Sequence, residues 1–160
     1  MAIHAAKDDM LSMHPLPLVA ILLATRGRGR ILNISSLAAW MAIPNQNVYA
    51  ASKAYVLSFT QALADEMMAN SSGVSVTALC PGYTATKMMD NPAQGATLRI
   101  PPTMMMSARE VAEAGIKGCL SGKSVVVPGV ANKITAAVVR LFSKRLLTKL
   151  VGSFYRSKMQ

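Results

Sequence analysis

The sequence predicts an α/β fold in which a partial, doubly wound parallel sheet of about three strands is flanked by helices. Three short segments are apolar along nearly their whole length, which is typical of parallel strands buried on both faces. Segments with the helical spacing of apolar residues come between them, and this alternation favours a sheet covered on both sides. The length of 160 residues fits one domain, so residues 1–160 are predicted to form a single partial domain.

The first half of the chain predicts two helices and one strand. Residues 9–25 have a helical pattern, which Pro15 and Pro17 weaken. Residues 30–34 follow a Gly-rich turn and predict a short buried strand. Residues 47–69 predict a long helix, and the polar residues and glycine that follow end it.

The middle of the chain predicts a second strand and a long loop. The strand covers residues 74–80, and Pro81 and Gly82 end it. Residues 83–106 are rich in proline, glycine and methionine, so we expect a loop there.

A capping box then opens a helix. Ser107 and Glu110 have the spacing at which each side chain bonds the backbone N–H of the other residue, and the helix is predicted to reach about Leu120. Residues 124–127 are apolar and β-branched, and they predict the third strand.

The net charge of +10 is concentrated at the C-terminal end. Residues 131–160 hold seven basic residues and no acidic one, while the first 130 hold ten basic and seven acidic residues. This distribution argues against a nucleic-acid partner, because the excess charge is not a property of the whole surface. Residues 131–157 predict one long helix, which makes 131–160 a basic amphipathic segment. Such a helix can lie on an anionic membrane surface, or it can pack on the domain or on a second subunit.

The cysteines and histidines indicate neither a disulfide framework nor a metal site. Cys80 and Cys119 are predicted to be buried thiols in a reducing compartment. His4 and His14 have no companions at ligand spacing, so no metal is expected. The longest apolar run, residues 16–25, is shorter than the about 20 residues that span a bilayer, and the charges around it argue against a cleaved signal peptide. We therefore expect a cytoplasmic protein, with membrane association as the alternative.

Three residues form a candidate catalytic group. Tyr49 and Lys53 lie four apart at the start of the long helix, so they share one face. A phenol exchanges protons poorly at neutral pH, and a neighbouring ammonium stabilises the phenolate form. Ser36 follows the first strand at its carboxyl end, where open α/β sheets bind ligands, and its hydroxyl can bond a substrate oxygen. Ser36, thirteen residues before Tyr49, is preferred over Ser35. The hydroxyl of Ser35 is expected to bond the backbone.

Two motifs resemble segments of the short-chain dehydrogenase/reductase family, in the order and spacing of that family from about Arg26 to about Gly129. The first motif reads Asn33-Ile34-Ser35-Ser36, then Pro44, then Tyr49-Ala50-Ala51-Ser52-Lys53. The second motif reads Cys80-Pro81-Gly82-Tyr83-Thr84-Ala85-Thr86.

The resemblance implies a Rossmann-like domain and an oxidoreductase that moves hydride between a nicotinamide and a ketone or secondary alcohol of lipophilic character. The resemblance implies that Tyr49 is the general acid/base, that Lys53 also holds the nicotinamide ribose, and that Ser36 orients the substrate carbonyl. The cofactor is NADP(H) or NAD(H), with NADP(H) the preferred candidate. The residues implied to contact it are Tyr49, Lys53, Pro81, Gly82, Thr84 and Thr86.

Further partners follow from the same resemblance. The expected ligand is a small carbonyl or alcohol, and residues 87–106 would form a lid over it. A homodimer would form through the helix 47–69. On its own amphipathic pattern, and not on the resemblance, the segment 131–160 is a candidate for a peripheral membrane contact.

The chain also departs from the family's pattern. The Gly-rich turn that binds the pyrophosphate has no counterpart, since Gly27-Arg28-Gly29 precedes a strand instead of opening a helix. The family's catalytic Asn would fall near Asp8 or Asp9, and Asn33 is a strand residue that does not replace it. Without the preceding strands, the strand at 30–34 would expose an edge. The alternative is therefore a truncated, inactive member that acts as a binding or membrane-associated module.

Overall fold

The computed structural model describes residues 16–87 and 100–158. Helices and short strands alternate along these two ranges, as the sequence predicts. Short 3-10 helices at Leu37–Trp40 and Pro102–Met104 lie between the longer elements. The helices and strands are α1 Leu16–Thr25, β1 Gly29–Ile34, α2 Asn47–Ala69, β2 Val74–Leu79, β3 Thr84–Ala85, β4 Met106–Ser107, α3 Ala108–Leu120, β5 Val125–Val126, α4 Val130–Leu141 and α5 Lys144–Lys158.

The main sheet has three parallel strands in the order β1-β2-β5. Ile34 at the end of β1 pairs with Leu79 at the end of β2, and Leu79 pairs with Val126. The carboxyl ends of all three strands therefore lie side by side. The predicted α/β class with a three-stranded parallel sheet is confirmed.

Helices α1 and α2 cover one face of this sheet. Ile31 of β1 and Val76 of β2 are buried together with Ala20, Leu63 and Met67 from the two helices. A buried hydrogen bond from the Asn33 amide to the Thr60 hydroxyl (2.9 Å) also connects β1 to α2 on this face.

Helix α3 covers the other face. Arg30 of β1 donates to the carbonyl oxygen of Cys119 (2.9 Å), and the Thr77 hydroxyl of β2 donates to that of Lys123 (2.7 Å). β1 is therefore bonded to the last turn of α3, and β2 to the loop that follows this helix.

Two glycines on α3 let the helix lie unusually close to the sheet. The Leu79 side chain occupies the space that a Cβ at Gly115 would need, and Val126 occupies that space at Gly118. Any larger residue at these positions would push the helix away from β2 and β5.

Within the described residues, β1 forms one edge of the main sheet and pairs only with β2. Its last side chain, Ile34, is 61% exposed. The predicted exposed edge is thus present in the part of the chain that the structure describes.

The predicted loop over 83–106 is partly wrong, because two short strands border it. β3 pairs in parallel with β4, and Met106 N–H donates to the Tyr83 carbonyl (3.0 Å). Strands of two residues leave no periodic pattern, so the sequence did not indicate them. Residues 88–99 of this segment, like residues 9–15 of the predicted first helix, lie outside the described ranges.

The single long helix predicted over 131–157 is also wrong, because the structure has two helices there. Phe142 is extended (φ −101°, ψ 150°), which ends α4. Ser143 then accepts the N–H of Leu146 on its hydroxyl (3.4 Å) and the N–H of Leu147 on its carbonyl (3.1 Å). A serine in this position is a helix N-cap, and it opens α5. Among the described helices, none combines the length and apolar character needed to cross a bilayer.

Candidate active site

Backbone hydrogen bonds hold together the segments that leave β1 and β2. Ser35 N–H donates to the Leu79 carbonyl (2.7 Å), and Leu37 N–H donates to the Pro81 carbonyl (2.8 Å). The pairing of the two strands therefore continues past their ends. It brings Ser36 to the same edge of the sheet as Pro81 and the residues that follow it.

Ser36 and its neighbour bond the backbone in different ways. The Ser35 hydroxyl is buried and donates to the carbonyl of Lys53 (2.7 Å), which fixes β1 against α2 as expected. Ser36 is half-buried, and its hydroxyl oxygen accepts the N–H of Ala38 (3.1 Å), which caps the 3-10 helix. Accepting this bond leaves the O–H of Ser36 available to donate to a ligand.

Tyr49 and Lys53 lie one turn apart on α2, next to the end of β1. The Lys53 Nζ donates to the Ile34 carbonyl (3.2 Å) and lies 5.7 Å from the centroid of the Tyr49 ring. The bond to β1 thus holds a positive charge beside the phenol. The bond uses one of the three N–H groups of the ammonium, so donors remain for a ligand.

Tyr49 packs against a buried apolar cluster. Ala38, Ile43 and Ala50 form its buried part, and side chains from distant segments pack against it together with Tyr49. Those side chains are Met41, Ile100 and Val151. The cluster against which Tyr49 packs is therefore also covered by side chains from the loop before β4 and from helix α5.

The second motif lies beside β5 and α4. Gly82 contacts the side chain of Asn132 so closely that a Cβ at position 82 would overlap it. The Thr84 hydroxyl donates to the Gly82 carbonyl (3.1 Å), while Thr86 is exposed just after β3. Pro81, Gly82 and Thr84 therefore form one compact turn, from which Thr86 projects.

Two side chains at this edge were not singled out as site residues from the sequence. Asn132 donates to the Pro128 carbonyl (2.9 Å) and to the Met106 sulfur (3.6 Å), so it joins α4 to β4 and to the turn at Gly82. Arg140 stacks on the Trp40 ring at 4.3 Å. Both contacts join segments far apart in sequence, and no local pattern signals them.

The donor set fits the nicotinamide half of a dinucleotide. An ammonium with free donors, a phenol and a serine O–H surround the end of β1. The turn Gly27-Arg28-Gly29 enters β1 at the strand's other end, so it cannot bind a phosphate at this edge. The positions of Asp8 and Asp9 lie outside the described residues.

Cys80 is a buried thiol directly before the second motif. Burial raises the pKa of Cys80 to about 11 from the ordinary 9.0, against the opposing effects of the Ser35 hydroxyl bond and the Arg140 charge. Cys119 is buried as well, so the predicted burial of both thiols is confirmed.

The raised pKa of Cys80 predicts a loss of stability at high pH. Between pH 9 and 11 the unfolded thiol has released its proton and the folded thiol has not, so rising pH favours unfolding. We expect this thiol to remove about 2–3 kcal/mol from the free energy of unfolding across that window. Urea unfolding at a series of pH values measures it, and Cys80→Ala should show a shallower fall. Parallel curves for the two proteins would contradict the assignment.

Comparison with known proteins shows what this arrangement is similar to. A family model described as short chain dehydrogenase matches residues 12–96. The 3-oxoacyl-[acyl-carrier-protein] reductase of Synechocystis is 44% identical over 73 residues, covering 46% of this chain and 29% of the relative. The putative oxidoreductase SadH of Mycobacterium tuberculosis is 31% identical over 140 residues, covering 81% of this chain and 51% of the relative.

Solved structures give the same picture. A short-chain dehydrogenase from Sphingobium yanoikuyae in complex with NADPH superimposes with a TM-score of 0.61 at 27% identity, over 77% of this chain and 47% of that one. A short chain dehydrogenase from Burkholderia cenocepacia in complex with NADP gives a TM-score of 0.61 at 25% identity, over 78% and 47%. The chain thus spans about half or less of the length of these relatives.

Proposed function

We propose, from the premise that this chain belongs to the short-chain dehydrogenase family, that it carries the catalytic part of a nicotinamide-dependent oxidoreductase acting on a ketone or secondary alcohol. The observation that carries the proposal is the position of the Lys53 ammonium, bonded to the end of β1 and 5.7 Å from the Tyr49 ring. A lysine fixed at this place can bond a ribose hydroxyl, while the phenol one turn away can exchange a proton with a substrate oxygen.

Each residue of the group has a distinct task. Tyr49 donates a proton to the carbonyl oxygen in reduction and accepts it in oxidation. Ser36 keeps its Oγ as acceptor for Ala38 and donates its O–H to the same substrate oxygen, which orients the carbonyl. Lys53 holds its charge beside the phenol and offers its remaining N–H groups to the ribose hydroxyls.

A bound nicotinamide would supply or accept the hydride at the carbonyl carbon. Pro81, Gly82, Thr84 and Thr86 would border it, with Gly82 held in place by Asn132. The NADPH and NADP complexes among the related structures support NADP(H) as the first cofactor to test.

A lipophilic carbonyl compound is the substrate class that the surroundings of Tyr49 support. Tyr49 packs with other apolar side chains against the buried cluster of Ala38, Ile43 and Ala50, and Met104 to Met106 lie at the end of the segment between β3 and β4. Methionine side chains adapt to irregular apolar ligands. Relatives named as reductases of 3-oxoacyl-[acyl-carrier-protein] and acetoacetyl-CoA also support a carbonyl substrate.

The second candidate is an inactive member of the family that acts only as a binding module. The observation that favours it is the unpaired edge of β1 among the described residues. A homodimer through α2 is compatible with either candidate, because Val48 and Met68 are 79% and 73% exposed on that helix.

Fluorescence titration with NADPH and NADH separates the two candidates. We expect saturable quenching or enhancement of the nicotinamide emission by the purified chain. Lys53→Met should weaken binding about tenfold or more, because hydrogen bonds from a charged donor are lost. The matched control is Lys117→Met, which changes an exposed lysine on α3. An equal effect of both variants, or no binding by the parent chain, would favour the inactive module.

A further inference from the structure

Helix α4 is apolar on two opposite sides. Ala136 and Val139 are buried against the domain. On the side turned away from them, four residues spaced four, four and three apart form one stripe along the helix, which we call the outer stripe. Its members Val130, Ile134, Val138 and Leu141 are 74%, 60%, 42% and 82% exposed.

This pattern is the reverse of an ordinary surface helix, whose solvent side is polar. Apolar exposure continues beyond α4, because Phe142, Leu146 and Leu150 are 47%, 43% and 58% exposed. Contiguous apolar exposure of this kind marks an interaction surface.

The charges around the outer stripe are all of one sign. Residues 131–160 contain no acidic residue, and the cations Lys133, Lys144, Arg145 and Lys149 are exposed. Among the residues that the structure describes, no acidic side chain forms an ion pair with them, since the recorded pair joins Arg109 and Glu113 on α3. An anionic partner would therefore meet uncompensated positive charge.

We propose that the outer stripe and its flanking cations bind the surface of an anionic membrane, with α4 lying in the plane of the interface. The apolar stripe enters the boundary between headgroups and acyl chains, and the lysines and arginine contact lipid phosphates. A second copy of the chain fits this surface less well, because a symmetric contact through the stripe would bring the same cations together. This inference is independent of the proposed catalysis.

Vesicle sedimentation tests the stripe. The parent chain should bind vesicles of phosphatidylcholine with phosphatidylserine and bind vesicles of phosphatidylcholine alone weakly. The double variant Ile134→Gln/Val138→Gln should bind the mixed vesicles about tenfold or more weakly, because it removes apolar side chains from the interface. Both positions are exposed, so the fold should persist, and circular dichroism checks this.

The matched control places the same changes on another exposed apolar pair. Ile116 and Leu120 of α3 are 54% and 61% exposed, and Ile116→Gln/Leu120→Gln should leave vesicle binding unchanged. Equal losses in the two double variants would overturn the assignment to α4.

Variants of the flanking lysines test whether electrostatic attraction contributes to vesicle binding. Lys133→Gln and Lys149→Gln should each weaken binding to the mixed vesicles about fivefold, and added salt should do the same. Binding that responds to these variants but not to Ile134→Gln/Val138→Gln would mean a simple polyanion site and would overturn the proposal. A dimer in sedimentation velocity that the Ile134→Gln/Val138→Gln variant dissociates, together with no vesicle binding, would overturn it in favour of a second copy.

Discussion

Replacing Tyr49 by phenylalanine is expected to lower ketone turnover by about 10²- to 10⁴-fold, the range that a positioned acid or base contributes. The ring of Tyr49 packs against the buried cluster of Ala38, Ile43 and Ala50, and phenylalanine keeps that packing. Only the hydroxyl is lost, and with it the proton that the carbonyl oxygen must receive. Turnover is measured as the loss of NADPH absorbance with a panel of lipophilic ketones.

The control for this prediction is a second tyrosine on the same helix. Tyr55 is 51% exposed and its ring stacks on Phe59, away from the end of β1. Tyr55→Phe removes the same atom and should retain the parent's turnover. Tyr49→Phe should also retain NADPH affinity within a small factor, which separates a chemical defect from a binding defect. Undiminished turnover by Tyr49→Phe would exclude proton transfer by this residue.

Replacing Gly73 by alanine is expected to cost about 3 kcal/mol or more of folding stability, which is a large share of a typical domain's total. Gly73 has φ +68°, and a Cβ there would overlap the carbonyl oxygen of Gly27. This oxygen belongs to the backbone of the turn before β1, so it cannot rotate aside as a side chain can. The amino ends of β1 and β2 would have to separate.

Gly122 supplies the matched control for this effect. Its φ is +70°, and a Cβ there would meet nothing within 4 Å. Gly122→Ala should therefore cost only the about 1–2 kcal/mol of placing alanine in the left-handed region. Urea unfolding of the parent and both variants isolates the overlap at Gly73 as the difference. Equal losses of folding stability in Gly73→Ala and Gly122→Ala would show that the left-handed conformation alone, and not the overlap with Gly27, causes the loss.

The elements that could be predicted from the sequence are those with strong local signals. β1 and β2 are apolar runs between glycine or proline punctuation, and Ser107 with Glu110 forms the capping box with both bonds present. The break at Phe142-Ser143 was missed, although Ser143 is a typical N-cap, because the apolar pattern continues across it. The strands β3 and β4 depend on pairing between segments far apart in sequence, which no local pattern contains.

The residues and contacts of the candidate site also fall into those with a local sequence signal and those that depend on long-range packing. The spacing of Ser36, Tyr49 and Lys53 is local, so the sequence alone could single these residues out as candidates. The bond from Lys53 to the Ile34 carbonyl could not be predicted, because it depends on how closely α2 packs on the strand. The contacts of Asn132 with Gly82 and of Arg140 with Trp40 depend on where α4 docks, and they appear only in three dimensions.

The close approach of α3 to the sheet limits how this protein can be redesigned. Side chains on the outer side of α3, such as Ile116, can be exchanged with little effect on the helix position. A larger residue at Gly118 would force α3 away from β5, because the branched Val126 side chain already fills the space, while at Gly115 the end of the Leu79 side chain would have to move. The shift would carry along β4, whose last residue caps this helix, and so the loop beside the candidate site. Gly115 and Gly118 thus set the spacing between α3 and the sheet on which the position of that loop depends.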